Sequence, residues 1–367
     1  MKLINIVGAR PNFIKIAPLM FELKNHINKI DYKLIHTGQH YDIKMSQLFF
    51  DELKIPKPDI NLEVGSDTQA KQVAKIMEKF DDVTEELKPD VILVAGDVNS
   101  TLACSLVAAK KQIKIIHLEA GLRSYDRSMP EEINRIVTDT LADLLLAPSI
   151  DAVENLLKEG INKDKIKLVG NIMIDSLFMF KSFYDKSDVL QKFNLLPQRF
   201  GLITLHRPSN VDDKLQLKRI LESLDTLSKN IKIIFPVHPR TMKNIENFNL
   251  KDYLKDNNNL IITDPLGYID FQALMINSKF VITDSGGVQE ETTALKIPCI
   301  TLRKNTERPI TITEGTNVIV GDDLELMYKL ANDASNNKWK NSKVPEFWDG
   351  NTSKRVINAI YEAFEIL

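Results

Sequence analysis

The sequence predicts an α/β protein built from two doubly wound halves. Short apolar runs of five or six residues, several of them β-branched, recur along the chain. Amphipathic stretches of helical period separate them. The alternation breaks off over a charged stretch at 180–199 and then starts again. A strand covered on both faces of a parallel sheet reads as an almost continuous apolar run. Strand, helix and strand in repetition imply such a sheet wound with helices. A length of 367 residues, set against about 100–200 residues per domain, also favours two domains.

In the first half, residues 3–7, 32–37, 91–95 and 113–118 read as strands, with helices over 11–24, 69–87 and 100–111. A further run at 144–148 leads to a helix over 150–159, and 167–169 leads through Gly170 and Asn171 to a helix starting near Met173. In the second half, 200–205, 232–236, 260–263, 280–283 and 299–302 read as strands, with helices over 215–228, 268–277 and 288–295. An amphipathic helix over 353–366 closes the chain. The expected division is residues 1–172, 173–350 and a C-terminal segment 351–367.

Hydrophobic residues make up 43% and charged residues 27%, with a formal net charge of -2. Disorder needs fewer apolar groups and more net charge. No basic excess exists to neutralise a phosphate backbone, so no nucleic-acid partner is expected. No apolar run approaches the roughly 18–20 residues of a membrane span. The run before Gly8 is too short for a signal-peptide core. Cys104 and Cys299 stand far apart in apolar segments, which argues against a disulfide or a thiolate metal site. The histidines and acids show no ligand spacing, so the expectation is a cytoplasmic protein with no metal and no membrane partner.

Ligands of open α/β sheets bind outside the carboxyl ends of the strands. Polar residues just after the apolar runs are therefore the candidates. Gly8-Ala9-Arg10-Pro11-Asn12-Phe13-Ile14-Lys15 follows the first run. Pro11 suits a first helical position. Arg10 and Lys15 are unfavourable at a helix N-terminus unless an anion binds there, the plain alternative being two solvated side chains. The third and fourth runs lead to Gly96-Asp97 and Glu119-Ala120-Gly121. If those strands are neighbours, about 4.8 Å apart, Asp97 and Glu119 share one crevice. Pro130-Glu131-Glu132 reads as another helix start. One acid there serves the helix dipole, but three acids at one sheet edge raise one another's pKa and can hold a proton near neutrality.

In the second half, His206-Arg207-Pro208 and His238-Pro239-Arg240 end two strands. Asp284-Ser285-Gly286-Gly287 joins a strand to a helix. Ser285 can cap that helix, and the glycines let a diphosphate approach its N–H groups. Glu291, about one turn in, can accept hydrogen bonds from ribose hydroxyls. Neither a Walker motif nor the dinucleotide fingerprint is present, which points to a nucleotide-linked group without a nicotinamide half. Residues 303–309 add cations, Arg308 among them.

Together, residues 8–15, 96–102, 117–123, 130–135, 170–175, 206–207, 284–291 and 306–309 resemble, in order and over nearly the whole chain, the non-hydrolysing UDP-N-acetylglucosamine 2-epimerases. The resemblance implies a GT-B-like architecture: two Rossmann-like domains facing a central cleft, with the C-terminal helix crossing back to the first. It implies reversible conversion of UDP-GlcNAc to UDP-ManNAc, by elimination of UDP to 2-acetamidoglucal and re-addition. No cofactor is implied; a homodimer and a step feeding surface polysaccharide synthesis are. On this carry-over Asp97, Glu119 and Glu131 serve C2 and the sugar hydroxyls, and His206 assists departure of the diphosphate. Arg10, Lys15, Ser285, Gly286, Gly287 and Arg308 hold phosphate, Glu291 the ribose, and Phe271 the uracil. Gln39 and His238 match residues near a second site through which many bacterial members are activated by substrate.

Two departures stand out. The family's Gly-Thr-Arg-Pro-Glu opening is here Gly8-Ala9-Arg10-Pro11-Asn12, and its His-Arg-Arg-Glu-Asn is His206-Arg207-Pro208-Ser209-Asn210. The changed opening also resembles relatives that epimerise C2 of UDP-2,3-diacetamido glucuronates. A GT-B glycosyltransferase, a hydrolysing 2-epimerase and a nucleotide-sugar sensor are the other readings, since fold alone does not decide among them.

Overall fold

The structure, a computed structural model, describes residues 1–39, 56–254 and 257–365, and the side chains of Arg10, Pro11 and Leu254 also fall outside the description. Two compact units are present, Met1–Met179 with Glu346–Leu367, and Phe180–Pro345. The helix that begins at Ile172 belongs to the first unit, as does the chain from Glu346 onward.

The first unit contains β1 Lys2–Val7, β2 Asp31–His36, β3 Ile60–Asn61, β4 Val91–Ala95, β5 Lys114–Leu118, β6 Leu144–Ala147 and β7 Ile166–Leu168. Its helices include α1 Arg10–Leu23, α2 Gln69–Leu87, α3 Asn99–Lys110, α4 Pro130–Leu141, α5 Ile150–Lys158 and α6 Ile172–Met179. The strands form one sheet in the order β3-β2-β1-β4-β5-β6-β7, and every pairing is parallel. Val91, Ile92, Leu93, Val94 and Ala95 of β4 are all buried, as helices on both faces require.

The second unit contains β8 Phe200–Thr204, β9 Lys232–Pro236, β10 Leu260–Thr263, β11 Phe280–Thr283, β12 Cys299–Thr301 and β13 Asn317–Ile319, with α7 Lys214–Ser228, α8 Pro239–Asn247, α9 Tyr268–Asn277, α10 Gly286–Leu295 and α11 Leu324–Ser335. Its sheet runs β10-β9-β8-β11-β12-β13, again parallel throughout. Each unit thus has the doubly wound order, with the strand order reversing between β1 and β4 and between β8 and β11. Ligands of such sheets settle at that reversal.

The last helix, α12 Thr352–Ala363, packs on α1 and α6 of the first unit. Asp175 fixes its start by accepting the N–H groups of Thr352 (2.9 Å) and Ser353 (2.7 Å). Burial holds the Asp175 carboxyl above the usual range in spite of these bonds. Among the described residues no helix is long and apolar enough to cross a membrane.

Candidate active site

β4 and β5 are neighbours, with Ala95 opposite Leu118, so Gly96-Asp97 and Glu119 leave adjacent strands at one sheet edge. Glu119 is buried and has φ 73°, the left-handed region. That backbone costs a non-glycine residue about 1–3 kcal/mol and persists where surroundings over-determine it. Here the Leu146 carbonyl accepts both Glu119 N–H (3.0 Å) and Ala120 N–H (3.1 Å). The turn swings the Glu119 carboxylate onto the Lys15 ammonium, an ion pair with both side chains buried. Gly96 makes room for it. A methyl group at Gly96 would lie 2.8 Å from Lys15 Nζ and 3.3 Å from Glu119 Oε2.

Asn12 explains one departure from the family opening. Its Oδ1 accepts Ala9 N–H (3.1 Å) and its Nδ2 donates to the Ala95 carbonyl (2.8 Å), tying the start of α1 to the end of β4. A carboxylate in its place would have no hydrogen to donate. Gly8 is forced by packing, since a methyl group there would meet Ser100 Oγ at 1.9 Å. Arg10 opens α1, and its side chain lies outside the described residues.

Asp97 is held by Arg135, whose Nη2 and Nε reach Oδ2 at 2.6 and 3.0 Å. Arg135 Nη1 also meets Glu132 at 2.5 Å, and Glu132 accepts the N–H groups of Ser124 and Tyr125. Glu131, its neighbour in the first turn of α4, is half-buried. Beneath this edge His117 is fully buried between Asp139 and the Gly96 carbonyl. Burial works to raise the Asp139 pKa, but the charges and bonds of His117 and Arg123 outweigh it and hold the carboxyl low. Gln39 is buried and accepts from Ser100 N–H (3.1 Å) and Oγ–H (2.8 Å) at the start of α3.

In the second unit, Asp284 and His206 follow the paired strands β11 and β8, where the strand order reverses. Asp284 is buried and lies 3.0 Å from His206 Nδ1. It also accepts the N–H groups of His206 and Arg207 and the amide of Asn210. Burial favours its neutral form, but His206, the Arg207 N–H and Asn210 together keep its pKa below the usual range. The His206 ring is about one-third exposed and lies 5.6 Å, centre to centre, from His238. His238 accepts Arg240 N–H at 3.2 Å, and burial followed by the charge of His206 lowers its pKa.

Ser285 occupies the N-cap of α10, yet its hydroxyl makes no cap bond. Its own N–H is taken by Thr283 Oγ1 at 2.9 Å. Arg308 lies over Gly286, where a methyl group would sit 2.6 Å from Nη1. Glu290 pairs with Arg308 Nε at 2.8 Å, and Glu307 pairs with both Arg303 and Arg308. Gly287, the next residue of α10, is half-buried. Glu291 is buried, accepts Gln272 Nε2 at 2.7 Å, and is pushed up to about 8, by burial first and then by the charge of Glu290. Phe271 precedes Gln272 on α9 and is half-buried.

Lys15 and Glu119 are therefore brought into contact, with Asp97 on the adjoining strand end, and His206, Asp284, Ser285, Gly286, Arg308, Phe271 and Glu291 fall within the second unit. Asp139 and Gln272 carry no signal in the sequence, and His117, Glu132 and Arg135, although they lie within the motifs that carry the resemblance, have no role assigned from the sequence. Among the described residues no group of three or more His, Cys, Asp or Glu side chains is arranged to hold a metal ion.

The sequence model of the family described as UDP-N-acetylglucosamine 2-epimerase matches residues 22–361. The UDP-N-acetylglucosamine 2-epimerase of Methanocaldococcus jannaschii is 43% identical over 98% of this chain and 99% of its own. The crystal structure of the epimerase from that organism, in complex with UDP-GlcNAc and UDP, superposes with a TM-score of 0.89 at 44% identity, covering 99% of this chain and 100% of that one. A UDP-2,3-diacetamido-2,3-dideoxy-D-glucuronate 2-epimerase of Pseudomonas aeruginosa is 39% identical over 90% of this chain and 91% of its own.

Proposed function

The chain belongs to the UDP-N-acetylglucosamine 2-epimerase family, and from that premise we propose that it interconverts UDP-GlcNAc and UDP-ManNAc. The observation that carries the reading is the placement of Asp97 and Glu119 on neighbouring strand ends with Lys15 against Glu119. Transfer of a sugar to an acceptor hydroxyl needs one general base, whereas removal of the C2 proton and its return on the opposite face calls for more than one proton carrier.

The C2 proton is weakly acidic, so a carboxylate removes it as the C1–O bond breaks through an oxocarbenium-like state. The C1=C2 double bond forms, UDP leaves with the electron pair of the broken bond, and 2-acetamidoglucal remains. In return, a carboxylic acid protonates C2 on the opposite face and a diphosphate oxygen bonds to C1. Asp97, Glu119 and Glu131 are the proposed proton carriers. His206, oriented by Asp284, steadies the departing diphosphate. Ser285, Gly286, Gly287 and Arg308 hold it at the start of α10, Glu291 takes the ribose, and Phe271 takes the uracil. Arg10 shares the phosphate. Lys15 counters Glu119 and meets the leaving anion.

The proposed compartment is the cytoplasm, in keeping with two free buried thiols. The proposed assembly is a homodimer.

Incubation with UDP-GlcNAc, followed by proton NMR, tests the reading. UDP-ManNAc with little free ManNAc is expected. Free ManNAc as the main product would make the protein a hydrolysing enzyme. Unchanged UDP-GlcNAc alongside conversion of a UDP-2,3-diacetamido glucuronate would move the substrate to that class.

A further inference from the structure

His117 lies on β5, fully buried, two residues before Glu119. Both ring nitrogens face acceptors. Nδ1 is 2.5 Å from Asp139 Oδ1, and Nε2 is 2.9 Å from the Gly96 carbonyl. A carbonyl oxygen only accepts, so the Gly96 bond requires a hydrogen on Nε2. Asp139 is secured in turn, taking Arg123 Nη1 at 2.7 Å and Gly121 N–H at 3.1 Å. Arg123 is closed off by two bonds to Glu159, at 2.7 and 2.6 Å.

Four ionisable side chains are thus linked in series beneath the sheet edge. Such a set is costly to desolvate, and apolar side chains of the same volume often serve stability as well. What this set holds is a backbone atom. The Gly96 carbonyl belongs to the peptide that carries Asp97. Gly96 itself has φ 67° and borders Lys15 Nζ and Glu119 Oε2 closely enough to exclude a methyl group.

We infer that His117, held by Asp139, is a positioning residue for the proton-carrying acids: its Nε2–H fixes the Gly96 carbonyl, and with it the peptide leading into Asp97, against the Lys15–Glu119 pair. The inference rests on the epimerase reading for the reaction it serves. His117 acts through the backbone.

Two variants separate the two bonds. His117→Gln keeps an N–H near the position of Nε2, and His117→Asn keeps one near Nδ1. The expected result is a fall in kcat of about 10²-fold in His117→Asn, the scale of a 1 Å misplacement of a reacting group. KM and UDP affinity hold, and His117→Gln recovers a large part of the loss. A loss equal in both variants that follows the fraction of folded protein, or one confined to KM, would overturn the inference. Should His117→Asn fail to fold, Asp139→Asn gives the same reading: kcat falling at constant KM supports it, and unchanged kcat overturns it. Nitrogen-15 NMR of the wild-type His117 ring provides a readout that uses no substrate. A solvent-protected Nε2–H is expected, and a bare Nε2 contradicts the contact. An enzyme inert to UDP-GlcNAc would defeat the functional reading, while the His117 contact stands or falls on the ring signal.

Discussion

The carboxylate of Asp284 lies 3.0 Å from Nδ1 of His206, and the same carboxylate accepts the backbone N–H groups of residues 206 and 207. One buried acid thus sets both the ring and the loop that carries it. Asn210, retained from the family's motif, braces that acid from 3.1 Å while donating to the Leu302 carbonyl at 2.8 Å.

Asp284→Asn should therefore lower turnover by about 10²-fold, the range of a mis-set general acid–base group. UDP affinity, measured by calorimetry, should hold. Normal turnover in this variant would mean that His206 needs no orientation from Asp284.

The Lys15–Glu119 pair lends itself to a double-mutant cycle. Lys15→Met leaves a buried carboxylate without its cation, at a cost of about 3–5 kcal/mol in urea unfolding. Adding Glu119→Gln should restore part of that stability, because residues in contact couple by about 0.5–3 kcal/mol. Strict additivity would show that the two side chains do not depend on each other.

Gly286→Ala places a methyl group 2.6 Å from Arg308 Nη1. The guanidinium must shift, loosening its pairs with Glu290 and Glu307. UDP binding should weaken about tenfold or more, the equivalent of one charge-assisted hydrogen bond of roughly 1.5–3 kcal/mol. Unaltered binding would remove Arg308 and the start of α10 from the phosphate site.

Glu291 supplies a pH prediction. Its folded pKa, about 8, lies above the ordinary glutamate value. The folded state therefore holds a proton that the unfolded chain gives up, and stability falls as pH rises between the two values. The contribution is complete below the ordinary glutamate pKa and lost as pH passes through about 8. Glu291→Gln should melt higher than wild type above pH 8 and show little gain near pH 4. Parallel melting curves for the two proteins across that range would contradict the burial argument.

Much of the fold was legible because parallel-sheet strands announce themselves by apolar runs. The bounds of β9, β10 and β11 coincide with runs read directly from the residues. β3 spans two residues and β13 three, each only partly buried, so neither carries an apolar run long enough to read. Asp97 and Glu119 could be paired on paper because their strands follow one another. Asp139 could not be paired with His117, since it sits inside α4 with no pattern of its own, and the partnership arises only when α4 packs beside β5. Glu132 and Glu131 are equivalent as sequence, and the rotation of α4 turns Glu132 inward toward Arg135.

The central claim is that acids of the first unit carry the C2 proton. Running the reaction in deuterium oxide tests it most directly. The account predicts deuterium at C2 of both UDP-GlcNAc and UDP-ManNAc with the wild type, and loss of that label in Glu119→Gln while UDP still binds. UDP-ManNAc that forms with its C2 hydrogen unexchanged, or a Glu119→Gln enzyme that labels C2 at the wild-type rate, would contradict it.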